Sequence, residues 1–438
     1  MNKKTRDWLF RIFVFLFVII TFLLSLYATG YRFNLTWPLS FNHLLVKTGI
    51  LALDTEPHNA IIAISSETKI SNGFNLLGNK KETVTPAKIK NLLPGDYLIS
   101  FSLDGYWPYE KKLKVYPEQT TFLENVILFK KSLPLNVYSA TPQDIQYSPD
   151  GRYAWLSNDK IVVDLESEQK INDTEQKINW IDNAERISSG AKIINLSKGT
   201  VDDYSNTIGP IQESELNGNK LIYLNQDSVS ILDINTKNTT SIKTDGKVIT
   251  YKSSGDNLFL ITENNSQFEI KNFDLKNNKI ISSTKLLSSK DFHFSINNYN
   301  LVLSDSEHQI IYLLDSSNPK IIKDIIRGVN SFKWLDNNKI SYATESEIYI
   351  YDLTQNKPYL ITRLSEKISS LAWSSDNFLI YSTPTKIGTI NLTHEGNDIT
   401  VLWQSDNISS LSFNNRTDIL YFSASIGQQS GLYKMSLK

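Results

Sequence analysis

Between Ile368 and Ser382 the chain reads ISSLAWSSDNFLIYS, and between Ile408 and Ser423 it reads ISSLSFNNRTDILYFS, a near-repetition 40 residues further on. A period of that length constrains the fold strongly. One supersecondary unit cannot bury its apolar face alone, so the copies must stack on one another. Each copy has an aromatic residue, a short polar turn, an apolar run, a second turn, and an alternating strand that usually closes on Asp-Leu or Asn-Leu. Trp373 with SSDN opens one copy, and Trp334 with LDNN opens the copy before it, which continues as ISYATESEIYIYDL. Phe294 with SINN, Tyr251 with KSSG and Tyr147 with SPDG open earlier ones, and Phe413 opens the last. Two weaker copies lie between Leu165 and Val248: one starts at Trp180 and runs to AKIINL, and the other, ESELNGNKLIYL, has Ser214 in the aromatic column.

That makes eight units at spacings of roughly 33 to 44 residues, the length of a four-stranded propeller blade. The repeat predicts a β-propeller of seven or eight blades over residues 132–438. An aromatic residue at the end of an inner strand is expected to pack between blades rather than to stack on a ligand. The last copy, ending in LYKMSLK, supplies three strands, while LPLNVYSAT at 133–141 is strand-like and has no blade of its own. These residues are expected to enter the final blade as its fourth strand, with Leu133, Leu135 and Val137 or their alternating partners buried, leaving no open edge. The Ser148-Pro149-Asp150-Gly151 turn and the Asp-Leu strand ends resemble the loose WD-type and TolB-type propellers of bacterial envelopes. The Gly-His and Trp-Asp pairs of the strict WD repeat do not occur in the copies, so this resemblance implies an architecture and not a function.

Residues 48–131 have another rhythm. Apolar residues alternate over short runs, Ile50 and Ala52, Ile61 and Ala63, Tyr97 to Leu103, Leu113 and Val115, then Phe122 to Phe129, with Pro and Gly at the breaks. Such period-two runs predict a small antiparallel β-sandwich. Four landmarks stand in order: Pro57 to Ala60, Thr85-Pro86, the turn from Leu92 to Tyr97, and Gly105-Tyr106. In this order they resemble the PEGA family, although His58-Asn59 replace the namesake Glu-Gly and a long polar loop runs from Ser66 to Val84. The resemblance implies an extracytoplasmic sandwich with a binding or spacing role. The landmark residues themselves are turn formers, Pro presetting φ and Gly permitting positive φ.

The N-terminus carries the clearest signal of location. Residues 12–24 read IFVFLFVIITFLL, interrupted only by Thr21, and the apolar stretch extends from Trp8 to Ala28. The central dozen contribute roughly −5 kcal/mol of insertion free energy, and a stretch of about 20 residues spans a bilayer. Lys3, Lys4, Arg6 and Arg11 precede it, with mainly Arg32 beyond. The expected division is a cytoplasmic segment 1–11, a transmembrane signal anchor 12–28, a connector 29–47, and an extracytoplasmic remainder. A cleaved signal peptide is the rival reading, disfavoured by Leu26 and Tyr27 where small residues are wanted. A buried helix is less favoured still, because no polar face exists to meet water.

Forty-five basic and 46 acidic side chains leave a net charge of −1, so no electrostatic footprint for nucleic acid exists. The absence of cysteine removes disulfides and thiolate chemistry. No nucleophile elbow, phosphate loop or zinc-binding helix motif occurs, so no catalytic, cofactor or metal residue is assigned and no cofactor is expected. His43, His58, His293, His308 and His394 are scattered and read as solvated surface side chains. Asp202-Asp203, Glu213 with Glu215, and Glu345 with Glu347 are the acids that could supply a glycosidase pair. Two functions follow: a membrane-anchored platform for a protein or polysaccharide partner, or an envelope hydrolase or lyase acting in the propeller funnel. Carboxylates converging on one face would favour the enzyme, and aromatics with mixed polar groups the platform.

Overall fold

The computed structural model describes residues 3–33, 45–66, 83–140, 145–174, 176–181, 185–211, 213–297, 300–315, 321–375, 378–392 and 398–438. The chain divides into two compact units, 1–132 with the last residue, and 133–437. The described residues are all-β apart from the N-terminal helix and one short turn of helix at Ser205–Ile208.

The larger unit is built from eight four-stranded sheets, each antiparallel and, with one exception, each laid down in simple sequence order. The strands of blades one to seven fall within 145–173, 178–203, 213–241, 247–286, 292–327, 331–363 and 370–404. Blade eight takes three strands from 406–436 and a fourth, Leu135–Ser139, from the opposite end of the unit. Gly431 to Lys434 pair with Ser139 to Leu135 in antiparallel register. The ring is joined between its last and first blades: Tyr421 donates to the Leu165 carbonyl at 3.2 Å, and Asn414 Nδ2 to the Gly151 carbonyl at 3.2 Å. Val137, Tyr138 and Ala140 pack on this junction, whereas Leu133 and Leu135 are 74% and 60% exposed. The strand therefore enters as expected, but of the first phase only Val137 packs, and beside it Tyr138 and Ala140 of the other phase, because the ladder shifts register at this point.

Repeated side-chain chemistry shapes the blades. In four blades an aspartate closes the third strand and turns the chain into the fourth: Asp233 accepts from the backbone N–H of Asn235 and Thr236 at 3.0 and 2.9 Å, and Asp274 from Lys276 and Asn277 at 2.8 and 2.9 Å. Asp164 and Asp352 do the same in blades one and six. Asp is suited to this place because its short carboxylate reaches backbone donors two and three residues on. In three of these blades a Leu follows and donates its N–H to the residue just before the second strand, Leu165 to Arg152, Leu275 to Asp256 and Leu353 to Asn338, each at 2.8 Å. Both weak copies form complete blades. Ser214, standing where others have an aromatic residue, donates to the Gly190 carbonyl of blade two at 2.6 Å.

The smaller unit holds two three-stranded sheets. Gly49–Glu56 lies between Ala87–Leu92 and Thr120–Ile127, and Gly95–Ser102 lies between Ile61–Ser66 and Tyr109–Val115. One pairing departs from an antiparallel sandwich: Gly49–Glu56 and Thr120–Ile127 run parallel. Their core contains Leu51, Leu53, Ile99, Phe101, Leu123 and Val126, with Ile62 and Ile64 against it. Ile61 and Ala63 are exposed, as is Phe122, so the alternation holds but its phase is the opposite of the expected one in those strands. In AIIAIS both phases are apolar, and only the facing sheet decides which is buried.

The landmarks of this unit meet in space. Thr55 Oγ1 lies 2.6 Å from Thr85 Oγ1 and donates to the Pro57 carbonyl at 2.8 Å, while Thr85 Oγ1 accepts from the Ala60 N–H at 3.1 Å. Tyr97 closes its own turn by donating to the Leu93 carbonyl at 2.8 Å. Most of the polar loop 66–84 falls outside the described residues. The helix Lys3–Ala28 contains a stretch, Thr5–Ala28, long and apolar enough to cross a membrane, none of it buried.

Candidate binding site between blades six and seven

Among the described histidines none stands alone. His58 Nδ1 lies 3.0 Å from Asp54, His293 Nε2 2.6 Å from Asp291, and His308 Nδ1 2.8 Å from Asp305. They are surface residues as expected, but each is oriented by an aspartate; His43 and His394 lie outside the described residues. Asp305 is buried and also accepts from Ser289 Oγ at 2.6 Å, so it ties a blade-five hairpin turn to the segment entering that blade. Glu366 ties blade seven in the same way, accepting from Thr383 Oγ1 at 2.7 Å and Lys386 Nζ at 2.6 Å.

Four of the acids considered as a glycosidase pair, Asp203, Glu213, Glu215 and Glu347, are engaged too. Glu215 holds Lys252 at 2.8 Å and the Ser253 N–H at 3.1 Å, and Glu213 lies 3.4 Å from Asn179 and 3.6 Å from Lys177. Glu347 accepts from Tyr349 at 2.7 Å and from Arg363 Nε at 2.7 Å, and these bonds, with that of Tyr349 the larger, lower its pKa. Asp203 is lowered chiefly by its bond to Ser205. On the innermost strand of blade six, Lys333 keeps solvent access to its side chain, yet the protein around it lowers its pKa by desolvation.

The aromatic column packs each blade onto the one before it. Tyr251 of blade four donates to the Ile222 carbonyl of blade three at 2.8 Å, and Phe413 of blade eight meets Phe378 of blade seven edge to face, with centroids 5.6 Å apart. Trp334 of blade six donates its indole N–H to Ser295 Oγ of blade five at 3.0 Å. Ser295 directly follows Phe294 in its own blade. In blade six the residue that follows the column aromatic is Leu335, which shares a core cluster and a cleft with Trp373 of blade seven and has no acceptor to offer.

Beside that pair lies a cleft of about 560 Å³, at the end of the propeller where first and third strands finish. Trp373, Leu335, Ile350, Ile361 and Leu392 give it apolar walls. Asp336 and Lys339 from one turn of blade six, and Asp352, Gln355 and Tyr359 from the other, supply its polar rim. Tyr359 donates its hydroxyl to Gln355 Oε1, which leaves the amide N–H₂ as a donor. Thr354, Gln355 and Lys339 lower the pKa of Asp352, the Thr354 hydroxyl most, and Lys339 stands opposite Asp352 across the strand pair. Two other clefts, of about 320 and 350 Å³, lie at the opposite end of the blades. The sequence put Trp373 in the aromatic column as packing; it gave no sign of the cleft, since what matters is which residue the preceding blade sets against the indole.

No protein-family model matches the chain, and no curated protein matches it. Among solved structures it is similar to a eukaryotic initiation factor, at 12% identity and a TM-score of 0.48, over 68% of this chain and 90% of that one. The propeller domain of Cps50 (Swd1) from Myceliophteria thermophila shows 12% identity and a TM-score of 0.39 over 70% and 100% of the two chains. For the WD40 repeats of RRP9 the values are 11% and 0.41, over 70% and 97%. The propeller assignment rests on the eight sheets themselves.

Proposed function

We propose that this chain is a membrane-anchored, extracytoplasmic binding protein of the cell envelope, whose propeller is the platform for a partner. The observation that carries the reading is the placing of the carboxylates: Asp202-Asp203, Glu213 with Glu215, and Glu345 with Glu347 belong to three different blades, two, three and six. Every described acid with a resolved shift, Asp203, Asp233, Asp274, Glu347, Asp352 and Glu366, is held below its ordinary value by hydrogen bonds that build turns or tether loops. Glycoside hydrolysis needs one carboxyl raised enough to hold a proton near neutrality. These six carboxyls are committed to the fold instead, and with the candidate acids spread over blades two, three and six this favours the platform over the hydrolase or lyase.

The helix supports anchoring by its length and composition, and the basic residues before it support a cytoplasmic N-terminus. The smaller unit is a PEGA-like spacer or wall-contact module, a reading supported by the landmarks at Thr55 to Ala60 and Thr85 closing on each other. Chemical cross-linking on intact cells followed by capture of the full-length chain tests the proposal. A discrete partner, protein or polysaccharide, should be enriched over an unrelated anchored protein. Capture at the level of that control would sink the platform reading. So would turnover of an envelope glycan or peptide that disappears when a propeller carboxylate is replaced by its amide.

A further inference from the structure

We propose that the cleft between blades six and seven is a saccharide-binding site, a neutral disaccharide-sized segment of glycan resting on Trp373 with its hydroxyls shared between Asp336, Asp352, Lys339 and Gln355. This names a ligand class for the platform proposed above and rests on that reading.

Three observations lead there. The indole N–H of Trp373 has no partner among the described residues, in contrast to Trp334, whose N–H is answered by Ser295. Leu335 stands where blade five has Ser295, so the donor is left available beside the cleft. Second, the rim offers donors and acceptors together: the carboxylates of Asp336 and Asp352 accept, and Lys339 Nζ, Gln355 Nε2 and Trp373 Nε1 donate. A hydroxyl is both donor and acceptor, and a sugar presents rows of them, with an apolar C–H face that an aromatic ring can cover. Third, the charges nearly balance. Lys339 lies beside Asp352, and backbone N–H groups already serve Asp336 and Asp352. The rim therefore makes little demand for a cationic ligand and repels an anionic one. A cleft of about 560 Å³ is within the usual size of a small-molecule site.

The test uses the full-length chain in a detergent without a sugar headgroup. Cellobiose, maltose and N,N′-diacetylchitobiose serve as probes in saturation-transfer NMR and calorimetry, with triarginine as a fourth. At least one disaccharide should bind, with little dependence on salt. Trp373→Phe keeps an aromatic ring, though a smaller one, and removes the N–H, and should weaken binding about 3- to 10-fold. Trp373→Ala should abolish it. Leu335→Ser offers the indole the acceptor found in blade five and should compete with the ligand, weakening binding while Trp373 is unchanged. His293→Ala, away from the cleft, reports any general loss of fold and should bind like the parent. Binding of triarginine alone, weakening steeply with salt, would replace the saccharide by a basic peptide and overturn the proposal. So would the failure of every disaccharide, or binding indifferent to both Trp373 and Leu335 substitutions. If cross-linked capture persists in those cases, the platform stands without this site; if capture fails as well, both readings fall.

Discussion

Asp233, Asp274 and Asp352 occupy the same position in three blades, and each accepts backbone N–H bonds from the turn it begins. The bonds favour the charged form, so each pKa lies below the ordinary 3.8. A depressed folded pKa gives stability that is present above the unfolded value and lost as pH falls through the folded one. The melting temperature should therefore be nearly level from pH 7 to 5 and decline once pH drops below about 4. Joint replacement Asp233→Asn, Asp274→Asn and Asp352→Asn keeps an acceptor in each turn and removes the charge, so the acid limb should become shallower. Thermal melts followed by circular dichroism at stepped pH would show it; an unchanged acid limb would mean that the turns do not set the acid stability. Asp305 differs in being buried. Asp305→Ala leaves Ser289 Oγ and His308 Nδ1 without their acceptor, and should cost about 1–3 kcal/mol in urea unfolding. A loss below about 0.5 kcal/mol would show that water replaces the carboxylate there.

Strands and blades are the scale at which the sequence was most readable. The aromatic column, the Asp-Leu ends and the orphan strand before the first copy follow from the repeat, and eight sheets with Leu135–Ser139 in the last are present. A polar Ser214 hid one copy only because a hydrogen bond to Gly190 substitutes for aromatic packing. What escaped depends on partners distant in sequence. The parallel pairing of Gly49–Glu56 with Thr120–Ile127 leaves no mark on either strand, and the buried phase of AIIAIS is set by the opposite sheet. The cleft escaped for a similar reason, because Leu335 and Trp373 gain meaning only when set side by side. Ring closure gives a test at this scale. At Gly431 an added Cβ would come within 2.3 Å of the Tyr138 carbonyl oxygen, inside the pairing that completes blade eight. Backbone cannot yield as a flexible side chain can, so Gly431→Ala should cost about 1–3 kcal/mol and loosen the closing strand. Hydrogen exchange at residues 135–139 should rise in the variant. Unchanged protection there would show that the last blade is held without this contact.

For the whole molecule the deciding segment is the helix, because it determines which solvent the rest of the chain meets. Phe13, Phe15, Phe17 and Phe22 are each more than 60% exposed, and among the described residues none buries the apolar stretch from Thr5 to Ala28. Left in water, that surface would drive aggregation; in a bilayer it contributes roughly −5 kcal/mol. Arginine at mid-membrane costs about 2.5 to 3.5 kcal/mol, so Leu16→Arg with Ile19→Arg adds some 5 to 7 and removes about 1. Insertion then becomes unfavourable, and the variant should leave the membrane fraction while the parent resists extraction by carbonate. Orientation is a separate question, governed by Lys3, Lys4, Arg6 and Arg11 on one side against mainly Arg32 on the other. With the N-terminus inside, protease added to spheroplasts should digest the chain beyond about Tyr31 and spare a tag placed before Lys3. Reversing the first three charges to glutamate should reduce that bias, since the retention signal is the excess of Lys and Arg close to the membrane. A parent chain whose C-terminal region is protected from the protease would place the propeller in the cytoplasm. The platform would then have to face an intracellular partner, and a glycan of the cell surface could not reach the cleft beside Trp373.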